Sequence, residues 1–265
     1  MNIALLLGIV VGMVMGGTGA GGGVLAVPAL VAGMGLSMQQ AAPIALVAVA
    51  GGAALGAVEG WRRGLVRYRA AFLMVVFGLP LTHVGVVFAQ KLPQRELQIL
   101  FSLVILIVAL RTLWHSLPGR QRDAHRKLAK INPSTGRFGW TWGTGVLFAV
   151  IGSLAGFMAG LLGVGGGFVV VPALRRFTDV SMQGAVATSL MVVALLACSG
   201  IIATLYHGGD LPYPMTLFFA LATAVGMLAG RWVLRRVSEV TVQRGFACFL
   251  IAIALNWLIK AFIAA

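Results

Sequence analysis

Two glycine clusters, Gly19-Ala20-Gly21-Gly22-Gly23 and Gly163-Val164-Gly165-Gly166-Gly167, interrupt stretches that are otherwise apolar. Glycine at such a break lets a ligand approach the backbone with no Cβ in the way. A helix that restarts after the break presents N–H groups with no intrahelical partner, and its dipole adds positive potential there. Together these features make an anion-binding element out of uncharged residues. Gly21, Gly22, Gly23, Gly165, Gly166 and Gly167 are therefore the candidate substrate-binding residues. Tight helix packing through small residues is the alternative role for any one cluster. Two copies, each followed by Val-Pro-Ala-Leu at Val27 and at Val171, favour the ligand role.

Other side chains add less. The hydroxyls of Thr188 and Ser189 either donate to an anion or bond a preceding carbonyl. The N-terminal half has Ile44 and Ala45 at the matching positions, so any hydroxyl contribution is asymmetric. His83 is the one ionisable group placed clearly inside an apolar stretch, which makes it a possible proton carrier. Ser37 and Ser181 precede long apolar runs and read as helix N-caps, with Gln39 and Gln183 in the first turns. Pro28 and Pro172 are structural, either in a first turn or at a kink. Glu59 beside Arg62 and Arg63 reads as a surface pair, and Asp210 as part of a turn. Cys198 and Cys248 lie in apolar stretches and suit packing; no metal-ligand spacing, cofactor motif or catalytic constellation is present.

The elements that must position these residues follow from composition and an internal repeat. Hydrophobic residues make up 60% of the 265, charged residues 10%, and the mean hydropathy is +0.99. A soluble domain carries about 25% charged residues, so this chain is expected to be an all-α polytopic membrane protein with lipid as its solvent. Displacing the sequence by 144 positions superposes the two clusters, and 12 of the 23 positions from Gly19 to Ala41 are then identical. Pro, Ser, Met and Gln in register are not explained by low complexity. The chain divides into a membrane repeat over 1–114, a basic linker over 115–139 and a second repeat over 140–265.

Each repeat contains four apolar units, at 3–34, 38–60, 70–89 and 97–114, then at 143–174, 182–206, 215–234 and 242–264. The last three of each set suit a hydrocarbon core of about 30 Å. The first is too long and is broken by its glycines. If every unit crosses, the 20 Lys and Arg split 12 to 8 across the membrane. If each broken unit instead folds back as a re-entrant hairpin, the split is 17 to 3, leaving only Lys91, Arg95 and Lys260 outside. The positive-inside rule selects the second arrangement. It predicts two inverted four-unit repeats, each a re-entrant hairpin plus three transmembrane helices, with both termini periplasmic and the linker cytoplasmic. The stretch 138–160 is long enough to span alone; with Trp140 and Trp142 at the interface, its arm is expected to start deeper. The same charge pattern accounts for the net +14 without nucleic acid. The linker is expected to lie on the anionic leaflet.

The motif Gly163-Val164-Gly165-Gly166-Gly167-Phe168-Val169-Val170-Val171-Pro172, with Ala187-Thr188-Ser189-Leu190 and the four-plus-four layout about a basic loop, resembles the sulfite exporter TauE/SafE family of bacterial membrane transporters. The resemblance covers essentially the whole chain. It implies an inner-membrane carrier that moves sulfur-containing anions such as sulfite, sulfoacetate or other organosulfonates, usually outward. Ala42-Pro43-Ile44-Ala45-Leu46 departs from it, because a Thr-Ser pair is missing there. The expected partners are a small sulfur-containing anion and the lipid bilayer. A passive anion channel and a membrane subunit for a partner enzyme are the rival readings, and the sequence does not determine the oligomeric state.

Overall fold

The computed structural model describes residues 2–115, 129, 141–233 and 239–263. Among them the chain is helical throughout, apart from turns and one isolated bridge. The first half comprises α1 (Asn2–Thr18), a 3₁₀ segment (Gly19–Leu25), α2 (Ala26–Met34), α3 (Met38–Arg62), α4 (Tyr68–Lys91) and α5 (Gln94–His115). The second comprises α6 (Trp142–Leu162), α7 (Gly167–Phe177), α8 (Met182–Tyr206), α9 (Tyr213–Val233) and α10 (Glu239–Ile263). Six of these, α3, α4, α5, α6, α8 and α9, are long and apolar enough to cross a bilayer. Both glycine clusters fall where a helix ends, as the sequence indicates.

The arm before the second cluster is one unbroken helix with a defined start. Thr141 caps α6 by accepting a hydrogen bond from the Thr144 N–H, and the helix then runs 21 residues, about 31 Å, from a fully exposed Trp142. Trp140 lies outside the described residues, as does the linker except for His115 and Ala129.

The local signals for helix starts hold elsewhere. The Ser37 hydroxyl accepts from the Gln40 N–H, while the Gln40 side chain accepts from the Ser37 N–H, a reciprocal capping box. Ser181 caps α8 through the Gly184 N–H. Pro28 occupies the first turn of α2, whereas Pro172 lies at the sixth position of α7.

Lipid gives no hydrophobic drive between helices, so they associate by close packing. The helices pair crosswise between halves. Helix α1 lies along α9 and α6 along α4, while α3 packs on α8 and α5 on α10. Gly152 abuts Met74, Gly156 abuts Gly78 and Gly160 abuts Thr82, so α6 and α4 run parallel. Gly226 abuts Ile9 and Gly230 abuts Met13, so α9 and α1 do likewise. At these crossings a Cβ on the glycine would strike the facing backbone. The register of α3 and α8 is the reverse: Gly60 meets Ala187 and Leu46 meets Gly200, so these two helices are antiparallel. Phe101 and Trp257 join α5 to α10 with ring centroids 5.6 Å apart. Large apolar side chains such as Phe72, Phe88, Ile107 and Trp232 face outward, as a lipid environment requires.

Candidate functional site

At the second break, Gly163 ends α6 in the left-handed conformation (φ 71°), its N–H donating to the Ala159 carbonyl. Gly165 and Gly166 are also left-handed, at φ 74° and 72°. Three such residues reverse the chain within a few positions, a path costly for any residue with a Cβ. Gly166 then caps α7, its carbonyl accepting from the N–H groups of Val169 and Val170. The first turn of α7, from Gly167, points unpaired N–H groups back into the break.

The first break is built differently. Gly19–Leu25 forms a 3₁₀ coil that passes into α2 through Leu25 in a right-handed helical conformation. The chain tightens here and does not reverse its hand. Gly22 packs directly on the Met15 backbone of α1.

The two breaks meet. A Cβ on Gly23 would lie 3.3 Å from the Val164 carbonyl oxygen and 3.0 Å from a Val49 methyl. One on Gly165 would lie 2.9 Å from methyls of both Val49 and Val193. Val49 on α3 and Val193 on α8 occupy equivalent places under the 144-residue displacement; Val49 meets both glycines and Val193 meets Gly165. Gly22, Gly23, Gly163, Gly165, Gly166 and Gly167 are all buried, within a core that includes Val24, Leu25, Leu162 and Val164. In so dry a setting backbone dipoles act on an anion with little screening.

On one side of this junction a cavity of about 220 Å³ opens among the start of α3, the end of α4, the end of α6 and the turn after α8. Its inner wall is Ala42, Gly160, Leu161 and Leu162, and its mouth carries Gln39, Gln90, Thr204 and Asp210. Ala42 continues inward to Gly163, whose Cβ would lie 2.6 Å from the Ala42 Cα. On the opposite side the described residues of α3, α4 and α8 pack closely. There Gly60 meets Ala187, Gly184 faces the Leu65 carbonyl, and the Arg67 N–H donates to Thr188 Oγ1 at 3.0 Å.

The predicted residues therefore separate. Gly23 and Gly165 face the junction; Gly167 opens α7 beside it. Gly22 and Gly166 pack against their own preceding helices, at Met15 and at the Ala155 carbonyl. Gly21 lies within the 3₁₀ coil. Thr188 is buried but spent on the Arg67 N–H, whereas Ser189 Oγ is buried with no hydrogen-bond partner. His83 is half-buried on α4 and does not line the cavity. Arg67, Val49 and Val193 escaped the sequence reading. The two valines were legible only as a matched pair in the repeat.

Comparison with known proteins agrees with the architecture. The chain is 26% identical over 250 residues to a probable membrane transporter protein of Xylella fastidiosa (strain 9a5c), covering 92% of this chain and 90% of that one. It is 31% identical over 123 residues to the probable membrane transporter protein YunE of Bacillus subtilis (strain 168), covering 44% of this chain and 45% of YunE. It is 26% identical over 285 residues to the probable membrane transporter protein MamO of Magnetospirillum gryphiswaldense, covering 97% of this chain but 44% of MamO. No solved structure matches. Residues 4–257 match the sulfite exporter TauE/SafE family, and with nearly its whole length accounted for the chain belongs to that family of membrane transporters.

Proposed function

We propose that the protein is a secondary transporter of the bacterial inner membrane that exports sulfite or related organosulfonates by alternating access. The observation that carries this reading is the meeting of two broken helices at Gly23, Val164 and Gly165, with a cavity beside them that is walled by α3, α4 and α6. A buried junction of broken helices with a cavity ending beside it, at Ala42 and Leu162, suits a carrier better than a continuous pore. The anion would take N–H groups of the second break and the first turn of α7. The family membership supports a sulfur-containing anion.

The repeats 1–114 and 140–265 would be inverted, each with a re-entrant first unit. The antiparallel register of α3 with α8 supports this, since repeats of the same orientation would run these helices in the same direction. The end of α7 supports it too: Ala129 of the linker pairs with the backbone of Phe177 and Asp179. That places part of the linker at the turn after α7, on the side of Leu65 and Arg67. The cavity would then open to the periplasm, with both termini there. Single cysteines at Leu36 and Asp179 should label from the periplasm and the cytoplasm respectively; labelling of both from one side rejects inversion.

Proteoliposomes loaded with labelled sulfite test the transport itself. Saturable flux with counterflow is expected. Conductance without saturation would instead assign a channel, and no flux would favour a membrane subunit. A proton carried by His83 predicts that His83→Gln removes the pH dependence of flux for a permanently ionised sulfonate. Dependence that persists returns His83 to a packing role.

A further inference from the structure

Hydroxyls on these helices mostly bond the carbonyl four residues back. Thr82, Ser102, Thr112, Thr204, Thr216 and Thr223 all do so, at 2.7 to 2.9 Å. This is the ordinary way to satisfy a hydroxyl away from water. Ser189 and Ser199 break the pattern, and Ser189 is the more deeply buried of the two. Its Oγ is fully buried and makes no hydrogen bond. Burying an unpaired hydroxyl has a cost, and a ligand that arrives with acceptor oxygens would remove it.

A second unpaired donor belongs to a residue held against the same stretch of α8. Arg67 is tied to α8 by its own N–H on Thr188 Oγ1, one residue from Ser189, and its Nε is buried without a partner. A guanidinium presents donors in a planar fork that suits two oxygens of an oxyanion at once. The α4 helix begins immediately after Arg67, with no side-chain cap, so its dipole adds to the same field. Ser189 is one helical turn, about 6 Å, from Val193, which closes on Gly165. Repeat symmetry supplies no counterpart on the opposite face, where Leu211 and Ala45 stand in place of Arg67 and Ser189.

We infer that Arg67 and Ser189 form an anion subsite on the side opposite the cavity, which takes a sulfur oxyanion before it reaches the glycine junction. The inference rests on the transporter reading for its purpose but not for its chemistry. A one-sided subsite would give the carrier a loading face and a release face.

Calorimetric titration of the purified full-length protein with sodium sulfite tests it, alongside flux in oriented proteoliposomes. Arg67→Gln should weaken sulfite binding at least about tenfold, Arg67→Lys less, and Ser189→Ala severalfold. Arg63→Gln, on an exposed arginine paired with Glu59, should bind as wild type. In flux, Arg67→Gln should raise KM from the Arg67 face and leave KM from the cavity face unchanged. Thermal melting identifies a variant that has lost its fold; Ser189→Ala and Arg67→Lys then decide. Wild-type affinity in those two, or an equal loss in Arg63→Gln, overturns the subsite. Flux with KM unchanged on both faces rejects the subsite but keeps the transporter, and specific binding without flux does the opposite.

Discussion

The two glycine breaks share Gly-X-Gly-Gly-Gly and the following Val-Pro-Ala-Leu, yet they differ in backbone. The first is a 3₁₀ coil that flows into α2; the second reverses the chain through three left-handed glycines and starts α7 afresh. Near-identical sequence therefore permits two conformations, which is possible because glycine is nearly indifferent to the sign of φ. The neighbours select between them. Gly22 lies flat on Met15, while Gly165 is pinned between Val49 and Val193. In an alternating-access carrier built of two similar halves, a state open to one face requires the halves to differ in just this way. The cavity beside the junction and the unequal breaks are two signs of asymmetry between the halves.

The sharpest way to break this comparison is Gly165→Ala. A non-glycine residue at φ 74° costs about 1–2 kcal/mol, and crowding the two valine methyls adds about 1–3 kcal/mol. We expect the largest loss of stability and of sulfite flux here, read by thermal unfolding and by proteoliposome uptake. Retained stability and flux would mean that the second break does not need its left-handed path.

Gly23→Ala probes the same junction from the first break and should do less. No positive φ is involved, and the nearest obstacle is a methyl at 3.0 Å. A cost of about 1 kcal/mol is expected, most of it recovered by also introducing Val49→Ala, which vacates the space. Additive losses in the double variant would separate Gly23 from Val49 and weaken the case that the breaks share one site.

Much of this arrangement was legible beforehand because it is local. Ser37 and Ser181 announce helix starts through a hydroxyl three residues from its partner N–H, and the glycine clusters announce helix ends. The crosswise pairing of helices was not legible, because the charge split speaks to orientation and not to neighbours. The length of α6 was legible in the apolar stretch 138–160, but its first residue was not, because Thr141 sets it through a cap. Arg67 was read only as one of 17 topogenic charges. Its contact with Thr188 spans 121 positions, and no local pattern points to it.

The smallest predicted effect compares the two halves at their helix starts. Ser37 takes part in a reciprocal box with Gln40, while Ser181 has Gly184 at the corresponding position and makes a single bond. Ser37→Ala loses the Gln40 N–H contact and weakens the box as a whole, so about 1 kcal/mol is expected; Ser181→Ala should cost somewhat less, about 0.5 kcal/mol. Gln40→Gly should lower the Ser37 end towards the Ser181 value, since it removes the returning side chain and leaves the hydroxyl bond in place. Thermal unfolding of the three variants checks this. Neither cap lies at the junction, so sulfite KM should stay at the wild-type value in each. A change in KM for Ser37→Ala would show that the start of α3, which walls the cavity through Met38 and Gln39, communicates with the anion site.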